Sequence, residues 1–391
     1  MCSPAGKRYT LDVERFDAIV IGVGAMGSAA LYHLARRGVR VLGLEQFSIG
    51  HDRGSSHGHT RIMRKAYFEH PDYLPLLHRT YEMWSQLEAA SGRTLFRRIG
   101  LLLVGRPDGK IISNVRRAAT EHRLSIEPLT QDELRRRFPG FQGSAEMEAL
   151  FEPDAGYLEP ENCVRTHVEQ AVAHGATVLT GKTVEGWSAR DGRIEVKTSD
   201  GRIACHKLVI CGGAWSSALL ENLSPLLEVR RKVVFWYSTP DDRFRVDQGC
   251  PIFGFDTDEG FFYGFPVVDE QGMKVANHTG GDVVADPNLI DRGFHPDEEL
   301  SVRRFLARHL PSARPSLRGH AVCMYTMSPD EHFIVDRHPA NADVVYAAGF
   351  SGHGFKFAPV IGSALADLAM HGTTHEPVEF LSAARFVAGC S

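Results

Sequence analysis

Residues 17–45, DAIVIGVGAMGSAALYHLARRGVRVLGLE, restrict the start of this 391-residue chain to one kind of supersecondary unit. Ala18 to Ile21 is a short apolar run suited to a parallel strand buried on both faces. Gly22, Gly24 and Gly27 follow in the spacing G-x-G-x-x-G. The first permits a tight turn, the second lets a pyrophosphate approach the backbone, and the third lets helix and strand pack closely. A helix expected from about Ala25 to Arg37 aims its free amides and positive dipole end at that pyrophosphate. Gly38 stops the helix, and Val39 to Leu44 reads as the second strand. Glu45 follows Gly24 by about 20 residues, the offset of an acid that accepts hydrogen bonds from ribose hydroxyls. The glycine spacing alone is weak evidence. With both strands, the helix and the terminal acid, it predicts a dinucleotide-binding β-α-β unit.

The chain is too long for one simple core, so about two domains are expected. With 43% hydrophobic and 24% charged residues, its composition is that of an ordinary globular protein. A net charge of −4 gives no reason to expect nucleic acid or an anionic membrane as partner. Arg135-Arg136-Arg137 reads as a solvated helix face. No apolar run reaches the ~18 residues of a membrane span. Residues 1–15 lack the apolar segment of a secretory signal and read as a frayed tail. The closing Gly-Cys-Ser matches no address or lipid motif. Seven cysteines, at 2, 163, 205, 211, 250, 323 and 390, include no C-x-x-C pair. That argues against a disulfide framework or zinc site and fits a reducing cytoplasm. The 19 histidines are scattered without H-E-x-x-H spacing, so no metal is expected.

Further along, Leu74, Leu77, Tyr81, Trp84 and Leu87 predict a helix over 71–90. Leu95 to Val104 is strand-like. Thr130-Gln131-Asp132-Glu133 is a capping box for a helix ending before Pro139. Another helix is expected from Glu159 to His174, then a hairpin at Asp200-Gly201 and a strand at Leu208 to Cys211. From Val229 to His278 strand follows strand, as in an antiparallel sheet of a separate domain. His295 to Leu310 is a helix, and Val344 to Ala348 a final buried strand before a helix reaching about Met370. The simplest organisation is a discontinuous nucleotide domain from 14–94, 156–226 and 330–391. A second, substrate-binding domain comes from 95–155 and 227–329.

Nicotinamide and flavin enzymes both open this way. Three features favour flavin. The unit at the start is completed by a strand and helix near the far end. The stretch FSIGHDRGSSHGHTRIMR after Glu45 is long, polar and glycine-rich. Gly349 to Gly354, with Gly352 and Gly354, ends a buried strand and offers backbone donors to an electron-rich group such as the N1/C2 carbonyl region of an isoalloxazine.

The segments GSSHGHTRIMRKAY, FEPDAGYLEPENC, FYGFP, CMYT with DEHFIVDRHP, and AAGFSGHGFKFAP resemble the monomeric sarcosine oxidase family, which includes N-methyltryptophan and pipecolate oxidases. The likeness runs from about Phe16 past residue 370. It implies a D-amino acid oxidase-like flavoprotein of α/β plus α+β class: a Rossmann-like FAD-binding domain with an inserted antiparallel-sheet substrate domain. It further implies a cytoplasmic monomer with covalently held FAD. Such an enzyme oxidises a secondary (N-methyl) amino acid such as sarcosine. The imine hydrolyses to aldehyde plus amino acid, and O2 is reduced to hydrogen peroxide. A cyclic imino acid (pipecolate or proline) as substrate, a non-oxygen electron acceptor, and a non-catalytic nucleotide-binding protein are the alternatives.

Residue by residue, the resemblance matches Cys323 to the position that forms a thioether with the flavin 8α carbon. It matches Arg64 and Lys356 to the pair that binds the substrate carboxylate, a bidentate fork and a point charge. Lys356 lies near a helix start, where a cation opposes the dipole, so some anion should compensate it. Lys274 lies in an apolar strand, where a lysine is costly unless paired or hydrated. The resemblance places it over the flavin, assisting oxygen activation. Tyr263 and His278 match positions around the substrate amine, and His57 and Arg61 positions near the flavin ring. Tyr325 shares a strand face with Cys323 by the two-residue period. Phe68, Phe253 and Phe261 are expected to set the room for a substrate side chain.

Overall fold

The computed structural model describes residues 16–386. The expected tail at 1–15, with Cys2, and the closing Gly389-Cys390-Ser391 lie outside the described residues. Strands Phe16–Ile21 and Val41–Leu44 pair in parallel, joined by helix Ala25–Arg36. The second strand starts two residues later than its apolar pattern suggests, because the Val39 amide is spent closing the helix on the Leu34 carbonyl. Gly38 takes a φ of 78° there. Ala18 and Val20 face one apolar core while Ile19 and Ile21 face the other, so the strand is buried on both sides.

The sheet runs Val184–Arg190, Arg193–Thr198, Gly201–Ile210, Phe16–Ile21, Val41–Leu44, Thr177–Leu179. Asn341–Ala348 also pairs in parallel with Gly201–Ile210 and carries Ile334–His338 beside it. The Asp200-Gly201 hairpin forms with Thr198 opposite Gly201. Helices Pro160–Ala173 and Ala358–His371 pack on helix Ala25–Arg36. The last approaches so closely that a Cβ on Gly362 would lie 2.5 Å from the Ala29 Cβ.

A second sheet runs Ser316–Met327, Glu228–Ser238, Met273–Asn277, Gly260–Phe265, Ile252–Thr257, Leu101–Gly105, Glu148–Glu152, Glu127–Leu129. It is antiparallel except where Ile252–Thr257 lies parallel to Leu101–Gly105. Helix Pro296–His309 backs it, with the Phe305 ring stacked 4.6 Å from that of Phe262. The helix expected at 71–90 runs Tyr73–Ser91. The strand expected from Leu95 to Val104 is two strands in different sheets. Phe96–Arg98 joins a small sheet with Arg61–Met63 and Gly156–Leu158. The chain turns at Gly100, φ 77°, where a Cβ would meet the Phe151 ring at 2.5 Å. The capping box forms: Thr130 Oγ1 accepts from the Glu133 amide, and Glu133 Oε2 accepts from the Thr130 amide at 2.8 Å. Among the described residues no helix is long and apolar enough to cross a membrane.

Candidate functional site

The glycine turn is shaped by two separate constraints. A Cβ on Gly22 (φ 81°) would lie 2.4 Å from the Cys211 carbonyl oxygen, and one on Gly27 only 1.8 Å from the Gly22 carbonyl oxygen. Those two positions are closed by the protein itself. A Cβ on Gly24 would meet nothing nearer than Ser56 Oγ at 3.6 Å, so its need for glycine comes from whatever occupies the cavity it faces. That cavity, of about 340 Å³, reaches from Gly22, Gly24 and Glu45 to Met324, Tyr325, Gly352 and Gly354. It is long enough to connect the first β-α-β unit with the strand that carries Cys323. Glu45 is buried, its Oε2 accepting from the Val23 amide at 2.8 Å and Oε1 from the Phe47 amide at 2.9 Å. Burial raises its pKa, and these amides pull it partly back.

A second cavity, of about 90 Å³, shares Arg61, Tyr325, Gly352 and Phe355 with the first. His57, Arg64, Tyr263, His278, Cys323 and Lys356 line it. Arg64 is 5% exposed and stacks over the Phe68 ring at 4.0 Å. It donates to Glu69 at 2.6 and 2.8 Å and to the Ala66 carbonyl at 2.6 Å. Burial works to raise the Glu69 pKa, yet Arg64, joined by His353 and Lys356, holds the carboxyl down at about 2. Lys356, also 5% exposed, donates to the His353 carbonyl at 2.7 Å. Burial and then Arg64 lower its pKa to about 7, while Glu69 opposes them. Glu69 is thus the compensating anion that the position of Lys356 called for. His353 is held in turn by the Tyr67 hydroxyl and, at 2.9 Å, by the Glu331 carbonyl.

In the same cavity His278 Nδ1 pairs with the Tyr325 hydroxyl at 3.1 Å, and Tyr263 lines it beside them. Burial keeps His278 neutral, its pKa lowered to about 3, and pushes both tyrosines up. At Cys323 burial would raise the thiol, but the neighbouring His57 and then the charge of Arg61 bring it down to about 6. Arg61 Nη2 lies 3.7 Å from the sulfur. His57 Nε2 is buried without a partner among the described residues, a polar atom that a bound group would satisfy. The glycine cradle, this free nitrogen and the activated thiol fit a flavin dinucleotide.

Lys274 is 2% exposed and walls neither cavity. Its ammonium sits behind the loop before Arg61, donating to the Gly58 carbonyl at 2.7 Å, the Thr60 carbonyl at 3.0 Å and Thr60 Oγ1 at 3.1 Å. Phe68 and Phe261 wall the second cavity, edge to face at 5.8 Å. Phe253, expected with them, belongs to the core of the second sheet beside Phe141. Glu69, His353 and Lys232 went unread in the sequence. Lys232 stands opposite Cys323 in register and donates to the carbonyls of His278, Thr279 and Gly280 at 2.8, 3.0 and 2.9 Å. Its sequence signal is weaker than that of Lys274, since Arg230 and Arg231 precede it and the run reads as a charged cluster.

A model of the FAD dependent oxidoreductase family matches residues 17–368. The chain belongs to this family. Among curated relatives, it is 42% identical over 380 residues to a monomeric sarcosine oxidase of Streptomyces avermitilis, covering 95% of this chain and 98% of that one. An N-methyl-L-tryptophan oxidase of Yersinia pestis is 35% identical over 375 residues, covering 95% and 99%. Two solved structures share the fold. NikD, an unusual amino acid oxidase, superimposes with a TM-score of 0.83 at 24% identity over 94% of this chain and 97% of its own. The L-proline dehydrogenase from P. horikoshii gives 0.82 at 23% identity over 96% and 99%. The two-domain D-amino acid oxidase-like architecture expected from the sequence is therefore present.

Proposed function

We propose that this flavoenzyme is an oxidase of secondary amino acids, acting on sarcosine or another N-methyl amino acid. The observation that carries this reading is the pair of buried cations, Arg64 and Lys356, on one wall of a small cavity adjoining the dinucleotide cleft at Tyr325 and Gly352. The names of the oxidases it resembles support it. Arg64 and Lys356 take the substrate carboxylate. That anchor sets the amine toward Tyr263, His278 and Tyr325 and fixes which C–H bond faces the cleft. His278, kept neutral, adds no positive charge beside an amine that must itself lose its proton. Aromatic walls at Phe68 and Phe261 limit the water around it.

Gly22, Gly24, Gly27 and the start of helix Ala25–Arg36 would hold the pyrophosphate, Glu45 the adenosine ribose, and His57, Arg61, Gly352 and Gly354 the ring. Bound FAD supplies a two-electron acceptor that O2 regenerates, releasing hydrogen peroxide. Cys323 would tether the ring through its sulfur, the S–H and one C–H bond at the 8α carbon giving way to an S–C bond as two electrons and two protons pass to O2. Lys274, held by the carbonyls of Gly58 and Thr60 behind the loop before Arg61, would lend positive charge to oxygen as it gains electrons. The imine product takes up water and splits to an aldehyde and an amino acid. The same reading divides the chain into an FAD-binding domain (14–94, 156–226, 330–391) and a substrate domain (95–155, 227–329), in keeping with the strand membership of the two large sheets. It takes the protein as a cytoplasmic monomer.

A peroxide-coupled screen of sarcosine, longer N-methyl amino acids, pipecolate, proline and primary amino acids tests the function. Equimolar peroxide and formaldehyde from an N-methyl substrate is the expected result. Peroxide without formaldehyde from a ring substrate replaces it with the cyclic imino acid reading. Dye reduction without peroxide makes the enzyme a dehydrogenase.

A further inference from the structure

The loop that holds Lys274 has a second face. Gly58 and His59 both have positive φ, 95° and 67°, and His59 is the rarer case for lacking glycine's freedom. With the chain so turned, the carbonyls of Gly58 and Thr60 converge on the Lys274 ammonium. The amides of Gly58 and His59 converge on a different group, Glu161 Oε1, at 2.6 and 3.2 Å. Glu161 is the second residue of helix Pro160–Ala173. A carboxylate there commonly serves its own helix N-terminus, and this one, besides its own amide, also reaches a loop about a hundred residues earlier in the chain. It also lines an open groove together with His59 and Thr60.

The charges add a second argument. Burial and then Arg61 disfavour the protonated state of Lys274, while Cys323 and Glu161 favour it. A sulfur bound as a thioether carries no charge. On the reading of Cys323 given above, Glu161 is then left to balance both Lys274 and Arg61.

We propose that Glu161 is a positioning residue for Lys274: its carboxylate clamps the Gly58–His59 turn whose carbonyls fix the ammonium, and so it governs how fast the reduced enzyme reacts with oxygen. The inference rests on the oxygen role assigned to Lys274.

Anaerobic reduction by substrate and reoxidation by O2, followed separately by stopped flow in the holoenzyme, test it with Glu161→Ala, Glu161→Gln, Lys274→Met and the double variant. Glu161→Ala should slow reoxidation about tenfold and leave reduction within about twofold. Glu161→Gln keeps an acceptor oxygen for the two amides and should recover most of the rate. The double variant should be no slower than Lys274→Met alone. Hydrogen exchange of residues 57–61, a readout independent of turnover, should accelerate in Glu161→Ala and return toward wild type in Glu161→Gln. Reoxidation unchanged in Glu161→Ala but slowed in Lys274→Met overturns the proposal. So does equal slowing of both half-reactions, or a double variant in which the two losses multiply. If Lys274→Met itself reoxidises normally, the role of Lys274 falls instead, and exchange at 57–61 still decides whether Glu161 holds the turn.

Discussion

Lys356 carries a charge that its surroundings resist. Burial and Arg64 bring its pKa to about 7, well below the ordinary lysine value of 10.5. A carboxylate bound between the two cations favours the protonated form, so affinity is full below about pH 7 and falls as pH rises through it. The dissociation constant of a simple carboxylate lacking an amine, read from the flavin spectrum, should weaken toward about tenfold per pH unit above that point. In Lys356→Met it should be weak and flat. Folding has a related dependence: the unfolded chain binds the extra proton between about 7 and 10.5, so the site's cost to stability is relieved as pH rises through that window. Cys323 is also displaced downward, but against its burial: burial alone would raise its thiol, while His57 and Arg61 bring it to about 6, largely thiolate at neutral pH. On the proposed thioether, Cys323→Ser should release its flavin on acid precipitation, whereas wild-type flavin should stay in the pellet. The sequence alone shows a cysteine in an apolar strand, which reads as inert core. What distinguishes it is Arg61, 262 residues away, and His57, and only folding brings them near.

Helix Ala25–Arg36 shows how one motif serves packing and binding at separate positions. Gly27→Ala drives a methyl into the Gly22 carbonyl. It should destabilise the protein by about 1–3 kcal/mol and lower flavin content together. Gly24→Ala adds a methyl that touches nothing closer than 3.6 Å. It should lower flavin content while the melting temperature of the flavin-free fraction stays near that of the parent. Calorimetry with flavin-to-protein absorbance ratios distinguishes the two. This element was legible from strand to cap because its constraints are local. The run Leu95–Val104 was not, because its break depends on Phe151 standing against Gly100, a partner that periodicity cannot see. The Arg64–Lys356 pair was half legible: the dipole argument at Lys356 demanded an anion but could not choose Glu69, which is set by the fold.

In the whole molecule the cofactor cleft is bounded by the nucleotide sheet's turns and by strand Ser316–Met327 of the second sheet, so occupancy ties the two together. A ligand that binds only the folded state stabilises by about 2.7 kcal/mol at a hundred times its dissociation constant. The melting temperature of Cys323→Ser should therefore climb with added FAD, and that of the wild type should not respond. The alternation of strands and helices in the sequence outlined this two-part plan, yet the cavities between the parts follow from packing that no single segment encodes. The packing of helix Ala358–His371 on helix Ala25–Arg36 also sets an order in time. The earlier helix leaves the ribosome long before its cover, because Ala29 is met by Gly362, roughly 330 residues later. At ~5–20 residues per second the nascent helix waits some tens of seconds with an apolar flank open. The cofactor cavity is completed equally late, since Gly349, Gly352, Gly354 and Phe355, which line it, stand directly before that covering helix.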